Sequence, residues 1–205
     1  KSWQKGWLGA PLVDHWTFDP ETDSGMVVVF TNCKRIDLKL NNKLITTLER
    51  SAFADGVIRS NVSYEPGELV ATAFFEDEFG KERQVTDTLH TAEVAYALAM
   101  NSDLQQVSNE GREVVHITTR AVDSTGTLNP FSQHKVNYTL DGPGRIRVID
   151  NGDMGDHTEA GSSSRELRRG KQLLILQAGS EPGDLIINAS AEGLKSSRVK
   201  IKASE

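Results

Sequence analysis

Apolar and polar residues alternate along most of this chain. Leu69, Ala71, Ala73 and Phe75 fall at period two, as do Leu185, Ile187, Ala189 and Ala191, and again Val115, Ile117, Thr119 and Ala121. Successive side chains of a strand point to opposite faces, so this spacing predicts β-strands with one buried face. The first two runs are introduced by the same kind of turn: Tyr64-Glu65-Pro66-Gly67-Glu68-Leu69 returns as Ser180-Glu181-Pro182-Gly183-Asp184-Leu185. Proline presets φ at about −65° and the following glycine accepts a positive φ, which predicts a type II turn in each copy. Such an echo late in each half predicts two β-sandwich domains of similar design, the alternative being that Pro-Gly turns are common enough to recur by chance.

About seven strands are expected in each half. In the first, His15 to Phe18 opens the series, and the continuous apolar run Met26 to Phe30 reads as a buried central strand. Ile36, Leu38 and Leu40 alternate with polar neighbours, and Asn41-Asn42, two residues able to take positive φ, turns them into Lys43 to Leu48 as a hairpin. Val57 to Tyr64, Leu69 to Glu76 and Arg83 to Leu89 follow, with Phe79-Gly80 in the last turn. In the second half Val94 to Met100 is alanine-rich but short and uncapped, and is assigned to a strand. Val115 to Ala121, a turn at Asp123 to Pro130, and Val136 to Leu140 come next. Asp141-Gly142-Pro143-Gly144 predicts a sharp reversal into Arg145 to Ile149. A long polar loop, Asp150 to Gly170, then precedes strands at Gln172 to Ala178, Leu185 to Ala191 and Arg198 to Lys202. No amphipathic helix of roughly ten residues stands out, which disfavours an α/β enzyme fold. The expected fold class is therefore all-β, two tandem sandwich domains over residues 15–90 and 91–205 behind a linker at 1–14. Trp3 and Trp7 in that linker lack local periodicity and are expected to pack on another element, with sugar stacking as the alternative.

Composition narrows the function classes. A chain of 205 residues exceeds one ordinary sandwich and suits two, each of about 100 residues. No run approaches the roughly 18 apolar residues of a membrane span. A net charge of −6 argues against a nucleic-acid partner, because neutralising phosphates takes a basic face. Only Arg165, Arg168, Arg169 and Lys171 cluster, in what reads as a solvated loop. Cys33 is the single cysteine, so no intrachain disulfide forms and the compartment stays open. The chain opens at Lys1 with neither initiator methionine nor signal peptide and reads as a segment of a longer protein.

The residues offer no active site. His15, His90, His116, His134 and His157 have no histidine or cysteine partner at a ligand spacing, which argues against zinc. Asp150, Asp153, Asp156, His157 and Glu159 could offer oxygen ligands to a hard cation, but the loop lacks the glycine-marked spacing of a calcium loop and reads as a turn-forming segment. Gly161 to Ser164 is a flexible stretch without a nucleophile elbow, and Gly142-Pro143-Gly144 lacks the strand and helix of a phosphate cradle. Glycosylation triplets start at Asn61, Asn137 and Asn188, all inside expected strands, and read as accidental. No catalytic, cofactor-binding or metal-ligating residue is assigned, and no cofactor is expected.

Several segments, in order, resemble the C-terminal immunoglobulin-like domains that follow the catalytic barrel in bacterial β-galactosidase-like family 2 glycoside hydrolases. Over residues 14–205 the resemblance rests on His15-Trp16-Thr17-Phe18, Val29-Phe30-Thr31-Asn32, Leu38-Lys39-Leu40-Asn41-Asn42-Lys43 and Val62 to Leu69. In the second half it rests on Gly142-Pro143-Gly144-Arg145-Ile146, Asp150-Asn151-Gly152-Asp153 and Ala191-Glu192-Gly193-Leu194-Lys195-Ser196. It departs at Asn42, where the family usually has glycine, and at Leu167, where it usually has an aromatic. The resemblance implies immunoglobulin-like sandwiches and a parent enzyme that is a retaining exo-glycosidase with two catalytic glutamates on a barrel of about 250 residues. No residue here matches those motifs; Asn109-Glu110 is followed by Gly111 in an interstrand loop and takes no role. The implied function is a non-catalytic accessory region that braces the barrel and shapes its cleft or a dimer contact. The implied partners are the parent's own barrel, a second copy in the parent and a carbohydrate, with no nucleic acid and no membrane span. A periplasmic, secreted or cell-surface location in a bacterium is the corresponding expectation. The rival readings are a carbohydrate-binding module, for which 6% aromatic content is thin, and a surface adhesion or spacer array.

Overall fold

The computed structural model of the chain describes residues 12–52, 55–159 and 161–204; Trp3 and Trp7 lie outside them. Strands dominate, and the one helical element among these residues is a 3-10 turn at Arg50–Ala52. The chain divides into two units, the first ending at Thr91 and the second starting at Ala92.

The first unit contains β1 (Ser24–Val29), β2 (Arg35–Leu40), β3 (Lys43–Glu49), β4 (Ile58–Ser63), β5 (Glu68–Glu76) and β6 (Glu82–His90). They form a four-stranded sheet in the order β3-β2-β5-β6 and a two-stranded sheet β1-β4, with antiparallel pairing throughout. Alternation puts Ile36, Leu38 and Leu40 of β2 into the core with Leu69 and Ala73 of β5 and Ile58 and Val62 of β4. Each large aliphatic side chain fully buried in this way contributes roughly 1.5–3 kcal/mol. Two expectations are corrected here. Met26 to Phe30 is no central strand: β1 pairs only with β4 among the described strands, Met26 and Phe30 are each 69% exposed, and only Val27 and Val29 pack on the core. The run is apolar on both faces for different reasons, and periodicity could not separate them. His15 to Phe18 is no strand either. It is irregular chain held by Trp16, which is 2% exposed, donates its indole N–H to the Glu65 carbonyl at 3.0 Å, and meets Phe18 and Tyr64 edge-on with ring centroids 5.4 Å away.

The Asn41-Asn42 hairpin forms as expected, with φ of 50° and 64° between Leu40 and its partner Lys43. Asn41 also clasps the first Pro-Gly turn. Its Oδ1 accepts the Glu68 N–H and its Nδ2 donates to the Pro66 carbonyl, both at 3.0 Å. Gly67 sits under that amide at φ 139°, where a β-carbon would come within 1.8 Å of Asn41 Oδ1. Thr91 closes the other side, accepting the Gly67 N–H at 3.0 Å and donating to the Trp16 carbonyl at 2.5 Å.

Among its described residues the second unit has nine strands where seven were expected: β7 (Ala97–Ser102), β8 (Gln106–Ser108), β9 (Val114–Val122), β10 (Lys135–Asp141), β11 (Gly144–Asp150), β12 (Ser164–Glu166), β13 (Lys171–Ala178), β14 (Gly183–Ser190) and β15 (Ser197–Ser204). The two additions, β8 and β12, are three residues long and too short to show a period. The strand expected from Val94 begins at Ala97, because Tyr96 and the residues before it follow the edge of the β9 turn. A five-stranded sheet, β12-β10-β14-β15-β8, faces a four-stranded one, β11-β13-β9-β7, with only β15 and β8 parallel. The Asp141 to Gly144 reversal makes no hairpin: β10 bonds β12 and β14, whereas β11 bonds β13, so the turn carries the chain from one sheet to the other. The strict alternation of β9 and β13 supplies Val115, Ile117, Leu174 and Leu176 to the core, against Val136, Leu185, Ile187 and Ile201 from the other sheet.

Two polar groups organise this core. Asp123, 3% exposed, accepts N–H bonds from Glu93, Thr125 and Thr127 at 2.9–3.0 Å and the Thr125 hydroxyl at 2.7 Å. Burial alone would raise its carboxyl, and these bonds outweigh burial and hold it below the ordinary range. The other is Tyr138, 3% exposed on β10. Its hydroxyl crosses the sandwich to donate to Thr119 Oγ1 at 2.7 Å and accept from Gln172 Nε2 at 2.7 Å. Thr119 and Gln172 are cross-strand partners on β9 and β13, so one phenol ties both central strands of the opposite sheet.

The second Pro-Gly turn departs from expectation. Gly183 has no positive φ; it starts β14 opposite Ala203, and a β-carbon there would stand 3.1 Å from the Pro143 ring. The echo therefore joins one strained glycine and one that only allows a close approach. Gly67→Val should cost about 2–4 kcal/mol, since it combines strain with a clash against a bonded amide. Gly183→Val should cost about 1–2 kcal/mol, because the proline ring has room to shift. Urea unfolding of the two variants checks this, and equal losses would contradict the distinction.

Tyr138→Phe should destabilise the second unit by about 1–3 kcal/mol, because Thr119 and Gln172 stay buried without their partner. Adding Thr119→Val and Gln172→Leu should recover most of that loss. Burial pushes the Tyr138 phenol up to about 12 despite the bonds from Thr119 and Gln172, against about 10 in an unfolded chain. Between these values the unfolded chain has released a proton that the fold keeps. The contribution is whole below pH ~10 and falls by roughly 2–3 kcal/mol as pH rises to ~12. Denaturation followed against pH should show this extra alkaline slope in the native chain and none of it in Tyr138→Phe.

Candidate functional site

The carboxylates of the polar loop are turn formers. Asp150, Asp153 and Asp156 each accept an N–H from two residues onward, those of Gly152, Gly155 and Thr158, at 2.5, 3.0 and 2.8 Å. Among the described residues no three His, Cys, Asp or Glu side chains gather as a metal would require. The basic cluster is not simply solvated, contrary to expectation. Arg165, on β12, is 8% exposed, donates to the Thr158 carbonyl, and brings Nε within 3.6 Å of Asp156 Oδ2. Arg168 reaches Asp153 Oδ1 at 3.2 Å and the Gly152 carbonyl at 2.5 Å. Thr158 first, then Arg165 and Asn151, hold the Asp156 carboxyl below the usual carboxylate range. The two arginines fold the loop back onto β12. Leu167, standing where an aromatic is usual, is buried in the core of the second unit.

This fold-back leaves an open cavity of about 740 Å³ in the second unit, bordered by Phe131, Lys135, Asn151, Arg165, Glu166 and Arg169. Periodicity marked none of Phe131, Lys135 and Glu166 as site residues, because they sit at a turn or on the outward row of a short strand pair. The first unit has a different concavity, an apolar groove of about 430 Å³ between β1 and β6. Val27, Val29, Val85 and Leu89 form its walls and Leu38 and Leu69 its floor.

The histidines are dispersed. His15 accepts the Thr17 N–H, His116 Nδ1 lies 2.8 Å from Asp103 Oδ2, His134 bonds Ser132, His90 stands 3.9 Å from Glu68, and His157 borders the cavity. Asn61, Asn137 and Asn188 lie inside β4, β10 and β14, and Asn109-Glu110 lies between β8 and β9.

Residues 98–200 match the family described as glycoside hydrolase family 2 C-terminal domain 5, and residues 24–81 match a domain of unknown function, DUF4982. The chain is 25% identical over 194 residues to Beta-galactosidase BoGH2A of Bacteroides ovatus, covering 95% of this chain and 22% of that protein. It is equally similar to a Beta-glucuronidase of Formosa agariphila, covering 94% of this chain and 19% of that one. A glycosyl hydrolase family 2 member from Bacteroides cellulosilyticus superposes with a TM-score of 0.82 at 26% identity, over 94% of this chain and 24% of its own. A beta-glycosidase from Bacteroides vulgatus gives 0.82 at 25% identity, over 93% and 24%. This chain thus spans about a fifth to a quarter of the length of those proteins. With half its residues matched by one family and both units carried by the structural likeness, the chain belongs to glycoside hydrolase family 2, as a C-terminal all-β region of immunoglobulin-like sandwiches.

Proposed function

We propose that this chain is a non-catalytic accessory region of a family 2 glycoside hydrolase, comprising a linker at 1–14 and sandwiches at 15–90 and 91–205. It braces the catalytic barrel of its parent chain and contributes to the rim of the cleft or to contacts between copies. The state of the carboxylates around the cavity of the second unit carries this reading. Retaining glycoside hydrolysis needs a carboxylic acid whose pKa is raised, so that it holds a proton to give the leaving group, opposite a nucleophilic carboxylate about 5 Å away. Asp156 is displaced the other way, and Asp153 and Asp156 each face an arginine. A carboxylate neutralised by a guanidinium is a poor proton donor and a poor nucleophile. The apolar groove of the first unit also supports an accessory role, since its lining suits packing against protein rather than gripping sugar hydroxyls.

The purified chain should therefore show no turnover of nitrophenyl β-galactoside or β-glucuronide above a buffer control. Hydrolysis that disappears with Asp156→Asn or Glu166→Gln would overturn the reading.

A further inference from the structure

The cavity beside β12 has features that an accessory role alone does not require. Arg169 and Gly170 close the β12–β13 connection as a two-residue turn, with Arg168 and Lys171 exchanging backbone bonds at 3.0 and 3.1 Å. Arg169 takes φ 50° there. The first position of such a turn favours Asn, Asp or Gly, and a long side chain at positive φ departs from that local preference. The turn nevertheless places Arg169 on the cavity wall. Arg165, more than nine-tenths buried, borders the same cavity, and its Nε has no hydrogen-bond partner. That Nε faces Asp156 Oδ2 at 3.6 Å, an ion pair too long for a hydrogen bond, so the guanidinium at the cavity wall is only partly satisfied by the fold. At the rim Phe131 is 59% exposed and offers a flat apolar face beside these polar groups.

We propose that this cavity is a saccharide-binding site, accepting a segment of a neutral glycan. A pyranose ring presents an apolar C–H face and a rim of hydroxyls that both donate and accept. Phe131 matches the face. Arg165, Arg169 and Lys135 supply donors, and Glu166 and Asp153 supply acceptors, on the surrounding walls. Asp156 and Asp153 face Arg165 and Arg168, and Glu166 stands opposite Lys135, so the lining carries little net charge beyond Arg169 with which to select an anion. A volume of about 740 Å³ falls within the ~300–1,000 Å³ of small-ligand sites and leaves room for a short run of sugar units.

Affinity electrophoresis of the 205-residue chain in native gels containing galactomannan, xyloglucan or arabinogalactan tests this, with polygalacturonate and heparin as anionic comparators. At least one neutral polymer should retard the protein. Phe131→Ala and Arg169→Asn should each weaken retardation roughly tenfold, the second substitution keeping a residue that the turn favours. Phe79→Ala, which removes a still more exposed phenyl from the first unit, should change nothing. All three variants should unfold at the midpoint of the native chain. The proposal is wrong if no neutral polymer retards the protein, if only the anionic ones do, or if Phe131→Ala behaves as Phe79→Ala does. Any of these would leave the accessory reading standing, because that reading rests on the ionised carboxylates and on the hydrolysis assay.

Discussion

Every strand here has to bury one row of side chains against a second sheet, and this constraint decides where chemistry can lie. The inward rows of β9, β13, β10 and β14 are filled with Val, Ile, Leu and Ala, apart from Thr119, Gln172 and Tyr138, which are joined through the Tyr138 hydroxyl. Such an interior has no room for ionised groups, since an unpaired buried charge costs far more than any one apolar contact returns. Polar function is therefore displaced to the connections. The β11–β12 connection, residues 151–163, is the longest of these, and Arg165 on β12 and Arg168 just after it hold its Asp156 and Asp153 carboxylates.

The first unit meets the same constraint less completely. Two strands, β1 and β4, cannot cover the inner face of four, so the part of that face under β5 and β6 opens into the apolar groove. Its stability is concentrated instead where the Trp16, Phe18 and Tyr64 rings pack together and where Asn41 and Thr91 hold Gly67 from two sides. A hairpin residue and a turn 25 to 27 residues further along the chain become one clasp, so the β2–β3 and β4–β5 connections are ordered together.

Much of the fold was legible in the sequence because a two-residue period is a direct image of a half-buried strand. Ile36, Leu38 and Leu40 read correctly, as did Val115 to Ala121 and the positive φ of Asn41 and Asn42. What escaped was information that a period does not hold. Met26 to Phe30 is apolar on both sides, so its sequence could not say that one side is exposed. Three-residue strands such as β12 carry no period, and with β12 unseen the burial of Arg165 and the cavity beside it were invisible. Gly67 and Gly183 sit in matching sequence yet differ, because the neighbour that demands glycine is Asn41 in one place and Pro143 in the other. The one local sign of the cavity was Arg169 before Gly170, an arginine where the turn favours a smaller polar residue.

Antibody-type sandwiches fasten their two sheets with a disulfide packed beside an aromatic ring. The single cysteine of this chain lies in the first unit, so in the second the fastening is the Tyr138 hydroxyl. A hydrogen bond needs no oxidant, cannot be captured by a wrong thiol, and forms again whenever the sheets part and close. Refolding of the second unit is consequently indifferent to thiol reagents and to the redox poise of its surroundings. Its yield is governed instead by how reliably distant strands find their register before the core closes over them.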